Sequence, residues 1–328
     1  MSDDLYLATT NGLFGARREN GTWKKTGTLL EGRNVTSVVA GDGIVLAGTK
    51  NGIFRSVDKG KVWSEVDDNS EIGYVRWLSS SPDGASLVLA GTEPASIFIS
   101  RDRGDSWKVC PEVSALRDTH GWFLPYSPEA GCVRGFAIAE SPETLPQVFA
   151  AVEVGGALVS RDSGDSWELV DGSDGNPDMS RPLGTLIHPD VHSITVHPSN
   201  PDIVTAPTGG GLYRSSDGGS TWYCLYTCYC RATWVDPTDP SHIVFGPADG
   251  VSRNGRIEES RDGGQTWQSA SKGMQVPWPQ HMVERFVQAG DSLLAVLSNG
   301  DLLSTGLDQM EWHRLMEDIE YVTSVAIG

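Results

Sequence analysis

Ser160-Arg-Asp162-Ser-Gly164-Asp-Ser-Trp167 is one of five copies of a single pattern. The others are Ser56-Val-Asp58-Lys-Gly60-Lys-Val-Trp63, Ser100-Arg-Asp102-Arg-Gly104-Asp-Ser-Trp107, Ser215-Ser-Asp217-Gly-Gly219-Ser-Thr-Trp222 and Ser260-Arg-Asp262-Gly-Gly264-Gln-Thr-Trp267, and two weaker copies end at Trp23 and Trp312. The pattern reads as a corner between two strands. The Asp carboxylate can accept hydrogen bonds from the turn's own backbone, and the Gly can take a positive φ. The following Ser or Thr can bond back to the loop, while the Trp opens the next strand with a large flat surface to bury. Acidic and aromatic as they look, these residues are structural.

Each corner follows a Gly-rich strand and, further upstream, an alternating strand, which gives one four-stranded unit per repeat. The first strands align as Val35–Val39, Val75–Leu78, Val133–Ala137, Val191–Thr195, Cys230–Trp234, Glu284–Val287 and Val322–Ala326. Seven first strands and seven Trp-bearing corners are out of phase, because the chain begins inside a unit at Leu5-Tyr6-Leu7-Ala8-Thr9 and ends on a lone first strand. The C-terminal strand at Tyr321 to Ile327 therefore completes the unit begun by residues 4 to 27, closing a ring and removing its open edge. The expected fold is all-β, one seven-bladed β-propeller over 1–328. Its blades fall near 321–328 plus 4–27, 34–67, 74–110, 132–170, 191–226, 230–270 and 283–315, with insertions at 110–131 and 168–190.

The five corners resemble the Asp-box, or bacterial-neuraminidase (BNR), repeats of sialidase-like propellers, and through them sortilin-type receptors and photosystem II assembly factors. The resemblance runs along almost the whole chain. It implies a propeller, and it leaves function open, because unrelated activities share this scaffold.

Composition narrows the partners. A formal charge of −18 and an isoelectric point near 4.7 argue against a nucleic-acid binder, which needs excess Lys and Arg for the phosphates, and equally against a membrane surface. The start, Met1 to Leu7, has neither a basic nor an apolar signal region, and no 18-residue apolar stretch occurs. Cys110, Cys132, Cys224, Cys228 and Cys230 lack a zinc-finger spacing and read as reduced, mostly buried thiols. A cytoplasmic location is the expectation from these features.

In a propeller the first strand of each blade lines the centre. One column through the aligned first strands reads Thr36, Arg76, Arg134, His192, Arg231, Arg285 and Thr323, and the Arg285 placement could slip by one to Glu284. Four Arg in a chain this acidic suggest an anion pocket, since guanidinium forks hold carboxylate or phosphate in bidentate fashion. Converging forks repel one another unless a ligand or an internal acid neutralises them, and Glu153 is the candidate acid. The alternative is that the Arg residues form salt bridges between blades.

The two insertions fall on one face and bring Asp118, His120, Trp122 and Phe123, then His188, Asp190 and His192, toward the same mouth. Imidazole and carboxylate ligands converging from loops suit a divalent ion such as Zn, Ca or Mn, with Asp118, His120, His188 and His192 as candidate ligands. Loop packing and hydrogen bonding are the alternative for the same residues. Cys228-Tyr-Cys230 reads as core packing.

Two classes of function follow. The first is a hydrolase or lyase acting on a small anion (a carboxylate, phosphate or acidic sugar), with Arg76, Arg134, Arg231, Arg285 and Trp122 binding it. His192 or Glu153 would serve as acid and base, and a metal could assist. The second is a non-enzymatic binding or assembly propeller, with the Trp122-Phe123 insert docking a protein. Sialidase activity is a narrower version of the first. The resemblance implies six blades for it where this chain shows seven, and no clear Arg-Ile-Pro signature or Tyr–Glu pair is found.

Overall fold

In the computed structural model all five corners fold alike. The structure describes residues 4–328 apart from 20–21, 67–71, 82–85, 128–129, 141–144 and 181. At the third corner the Ser160 hydroxyl donates to Asp162 Oδ1 at 2.7 Å and accepts from the Gly164 amide at 2.7 Å. Asp162 also accepts from the Ser166 amide at 2.9 Å and the Ser166 hydroxyl at 2.5 Å, and the Trp167 indole N–H caps the Gly164 carbonyl at 3.0 Å. The same Ser to Asp bond recurs at Asp58, Asp102, Asp217 and Asp262. Only the side-chain bond from the following hydroxyl is missing at the first corner, because Val62 stands there.

Two successive residues take positive φ in every corner: Lys59-Gly60, Arg103-Gly104, Ser163-Gly164, Gly218-Gly219 and Gly263-Gly264. The second is tightly packed as well as left-handed. A Cβ on Gly104 would fall 2.6 Å from Leu46, and one on Gly264 would fall 2.7 Å from Leu225. Each of these two corners thus rests on an aliphatic side chain of the preceding sheet, and a larger residue would lose that contact.

The chain forms seven four-stranded antiparallel sheets, a nearly all-β seven-bladed β-propeller. Its contacts divide it into two compact units. The first comprises Met1–Thr92, Ile97–Val109 and Arg285–Gly328, and the second Glu93–Ser96 and Cys110–Glu284.

In the first unit one sheet runs Val322–Ile327, Asp4–Thr9, Gly12–Glu19, Thr22–Leu29 in hydrogen-bonded order. The C-terminal strand joins the N-terminal one, with Leu7 opposite Val325, and this closes the ring as the phase of the repeat required. Leu5, Leu7, Leu294, Val296, Val322 and Val325 share one apolar cluster under that joint.

The second unit holds three whole sheets, beginning at Cys132, Thr195 and Tyr229. Between the first and second of these, Phe149, Ala151, Val159, Val204, Tyr213 and Trp222 pack into one buried cluster. At roughly 25 cal/mol per Å² of apolar surface, a buried aromatic of this kind contributes about 2 to 3 kcal/mol each. The first insertion holds one helix, Pro111–His120, in a fold expected to be all-β. Its sequence carries the usual end signals: Pro at the first turn, Glu112 near the N-terminus, Arg117 and His120 near the C-terminus, and Gly121 at φ 66° to stop it.

Candidate functional site

The column residues do two different jobs. In the first unit the Thr36 hydroxyl donates to the Val75 carbonyl at 2.6 Å, and that of Thr323 donates to the Val35 carbonyl at 2.7 Å. Each stitches its sheet to the residue just before the column position in the next. In the second unit His192 does the same with its ring: Nδ1 lies 2.7 Å from the Cys230 carbonyl, one residue before Arg231. A carbonyl can only accept, so Nδ1 carries the proton and Nε2 faces the other way.

The Arg side chains replace that stitch and reach elsewhere. In the first unit Arg285 lies over the Trp77 ring, 3.6 Å from its centroid, and donates to the Thr36 and Arg76 carbonyls at 3.4 and 3.5 Å. Arg76 bonds the Tyr74 hydroxyl at 3.3 Å. Arg285 also lines a pocket of about 270 Å³ together with Trp77, Phe286 and Ser324.

In the second unit the charges form a chain. Arg134 meets Glu153 at 3.1 Å and Glu284 at 3.5 Å, and Arg231 meets Glu284 at 2.7 Å and the Tyr229 hydroxyl at 3.0 Å. Tyr229 lies 3.3 Å from His192 Nε2, which lies 3.2 Å from Asp190 Oδ2. Glu153 also accepts from the Cys132 thiol at 3.2 Å. Two guanidiniums thus face two carboxylates, and the third, Asp190, faces His192. The forks expected to hold an external anion are already engaged by acids of the chain itself, with side chains of Arg134, Arg231 and Glu284 only 13%, 16% and 18% exposed.

These neighbours set the electrostatics. Burial alone would lower the Arg134 guanidinium, but Glu153 and Glu284 override it and hold it well above its ordinary value. Glu284 is held low despite burial by Arg231 and Arg134. Asp190 is also lowered: burial pushes it up and the nearby Glu153 adds to that, but His192 outweighs both. Burial drives the Tyr229 phenol to about 12, so it stays a hydrogen-bond donor.

Glycines bring Asp190 into place. The Gly155 and Gly156 amides hold the Pro189 carbonyl at 3.0 and 2.8 Å, and the Gly209 amide holds that of Asp190 at 2.9 Å. A Cβ on Gly209 would lie 2.2 Å from Asp190 Oδ2, and one on Gly210 would lie 2.4 Å from the His188 ring. The Gly209-Gly210 pair is therefore a cradle for the His188-Pro189-Asp190 turn.

The expected metal set is not assembled. Asp118 pairs with Arg117 at the surface, 2.8 Å away. His120 stacks on Trp122, and Trp122 is itself buried, donating to the Gly175 carbonyl at 2.9 Å. The indole is thus a strut between the two insertions rather than a face for ligand, and Phe123, 41% exposed, is the aromatic that reaches solvent. His188 accepts from the Asp190 amide at 3.2 Å and bonds the Met179 backbone, and burial lowers its ring below the ordinary value. Among the described residues, the group whose ligand atoms lie within 4.8 Å of one another is Glu153, Asp190 and His192, all buried. Asp190 stands in the sequence among the insert residues with no role assigned, Glu284 only as an alternative to Arg285 in the column, and Tyr229 and Gly209 carry no expectation there. The unexplained Gly209-Gly210-Gly211 run was the available signal for Asp190.

No family model matches the chain. It is 25% identical over 274 residues to a xyloglucanase of Hypocrea jecorina (strain QM6a), covering 75% of this chain but only 29% of that protein. Among solved structures it resembles a GH74 enzyme of Niastella koreensis, with a TM-score of 0.66 and 14% identity, over 100% of this chain and 52% of that one. It also resembles YCF48 bound to D1 peptide, with a TM-score of 0.62 and 17% identity, over 94% of this chain and 91% of that one. At these identities the structural likenesses speak for the fold.

Proposed function

We propose that the chain is a hydrolase whose working site is the charged cluster of the second unit, acting on a small molecule rich in oxygen acceptors. The observation that carries this reading is the meeting of Glu153, Asp190 and His192 within 4.8 Å, all buried, with Asp190 Oδ1 lacking any hydrogen-bond partner among the described residues. A buried polar atom costs about 1 to 3 kcal/mol when unsatisfied, so a purely structural cluster would be expected to satisfy it. Glu153 and His192 are the acid–base candidates, and Asp190 orients the imidazole or takes the proton. Arg134, Arg231 and the Tyr229 hydroxyl are the donors for substrate oxygens. The xyloglucanase relative supports a glycan as substrate. An anion would have to displace Glu284 from both guanidiniums.

The corners are, on this reading, Asp-boxes that hold the scaffold and take no part in chemistry. The test is turnover of a panel of oligosaccharides, carboxylate esters and phosphate esters by the purified chain, repeated with Glu153→Gln. Turnover that falls about 100-fold or more in the variant supports the reading, and turnover by neither protein overturns it.

A second reading is an assembly scaffold. Phe123, Tyr126 and Leu183 stand 41%, 60% and 86% exposed on the insertions of the second unit, apolar side chains that a bound peptide would cover. The whole-length likeness to a peptide-bound propeller supports it. It calls for peptide binding that Phe123→Ser abolishes and that changes at Glu153 leave intact.

A further inference from the structure

We propose that Glu153, Asp190 and His192 bind one divalent transition-metal ion, with Zn²⁺ the ion used to test it. The inference rests on the reading of this cluster as the working site, and with an ion bound these three side chains would serve as its ligands in place of the acid–base roles given them above.

Three independent features converge. First, the His192 tautomer is fixed by the Cys230 carbonyl, so Nε2 presents its lone pair toward Asp190 Oδ2 at 3.2 Å. The Tyr229 hydroxyl, 3.3 Å from Nε2, can donate to that lone pair, but Asp190 Oδ2 faces the same nitrogen and a cation between the two would relieve their repulsion. A second proton on the ring can supply it, or a metal. Two ligands each about 2.1 Å from one ion lie roughly 3.0 to 3.4 Å apart for angles between octahedral and tetrahedral. The observed spacing fits that geometry. A ring nitrogen tied to a backbone carbonyl, with the other nitrogen turned to acidic ligands, is also how metal-binding histidines are usually oriented.

Second, Asp190 is only 6% exposed, and its Oδ1 has no hydrogen-bond partner among the described residues. The backbone beneath it is nevertheless fixed, by the Gly209 amide on the Asp190 carbonyl and by the Asp190 amide on the His188 ring, and Gly209 leaves Oδ2 room that any side chain would take. A rigid, buried carboxylate with an unfilled lone pair is a ligand position prepared in advance.

Third, the charges call for a cation rather than an anion. Glu153 and Asp190 are like charges in one buried group, and Arg134, the cation nearest Glu153, is shared with Glu284. A divalent ion offsets both carboxylates while His192 stays neutral. Carboxylate and imidazole donors together suit Zn²⁺ or Mn²⁺ and are a poor match for Cu⁺, which prefers sulfur. The Cys132 thiol stays outside the set, donating to Glu153 at 3.2 Å.

The test is calorimetric titration of chelator-stripped, full-length protein with Zn²⁺, with Co²⁺ absorption as a spectroscopic check. The expected result is one Zn²⁺ per chain and a Co²⁺ visible band, both weakened at least about 100-fold by Asp190→Asn. Asp162→Asn, at a corner, should leave them unchanged. Glu153→Gln serves as the second ligand variant, with circular dichroism showing whether each variant is folded. No stoichiometric binding by the wild type overturns the inference, as does equal binding by folded Asp190→Asn and Glu153→Gln. Metal binding without turnover of any substrate would leave this inference standing and remove the hydrolase reading, whereas turnover without metal binding would do the reverse.

Discussion

Asp162 and Asp190 belong to the same unit and differ in almost every physical respect. Asp162 lies at an outer corner, where two hydroxyls and a backbone amide reach its carboxylate and drive its pKa down to about 2. Asp190 is buried beside another carboxylate, with one oxygen lacking a partner among the described residues. The corner aspartate is saturated and can do nothing except hold a turn. The inner one is ionised, rigid and unsaturated, and such a group is maintained for a ligand or a reaction. The contrast teaches that hydrogen-bond saturation, more than residue type, separates scaffold from site in this chain.

The sharpest ways to break that contrast are substitutions that should affect only one side of it. Asp190→Asn is expected to lower kcat roughly 10²- to 10⁴-fold on whatever substrate the panel yields, because it removes an ionised partner of the acid–base group. The measurement is steady-state kinetics beside a thermal melt. Arg134→Met comes next. It leaves Glu153 buried without its guanidinium, and unfolding in urea should show a loss of about 3 to 5 kcal/mol. Glu284→Gln separates two substrate classes at the same site. It frees Arg231 of its carboxylate and leaves Arg134 with Glu153 alone, so a carboxylate or phosphate ligand should bind about tenfold more tightly by calorimetry, while a neutral oligosaccharide should not.

Smaller effects belong to the corners. Asp162→Asn should cost about 1 kcal/mol, the scale of a lost hydrogen bond at a partly exposed site. The corner carboxylates also set an acid limit. Asp162 and Asp262 titrate near 2 in the folded chain against 3.8 otherwise, so their stabilisation is complete above about pH 4 and disappears as pH falls toward 2. A series of thermal melts from pH 5 to about 2 should slope downward, and less steeply in Asp162→Asn. The smallest effect is a gain. Ser163 sits at φ 63°, where two other corners have Gly, and Ser163→Gly should raise stability by less than about 1 kcal/mol.

The fold was legible because its signal is local and repeated. Each corner carries its own turn chemistry within eight residues, and the phase mismatch between corners and first strands predicted that Val322–Ile327 would pair with Asp4–Thr9. The site was legible only where it follows the repeat. The column singled out Arg134, His192 and Arg231 because they share one register position, but it also grouped with them Arg76 and Arg285, which bond within the first unit. Glu284 lies one residue off the column, where it stands only as an alternative to Arg285, and Tyr229 lies two off, so a one-position reading gives neither a role, although they complete the charge chain. Asp190 depends on Gly209, and that contact is made by the fold rather than by any spacing in sequence. The histidine-rich insertions misled for a related reason. His120 and Trp122 lie near the cluster in sequence pattern, but the helix Pro111–His120 carries them into packing against the second insertion.

The most direct test of the central claim compares Asp190→Asn with Asp162→Asn in one experiment, measuring turnover and melting temperature for each. The expected result is crossed: Asp190→Asn loses activity about 100-fold or more with a near-native melt, and Asp162→Asn keeps its activity while melting earlier. Activity that follows melting temperature in both variants, or that survives Asp190→Asn intact, would contradict it.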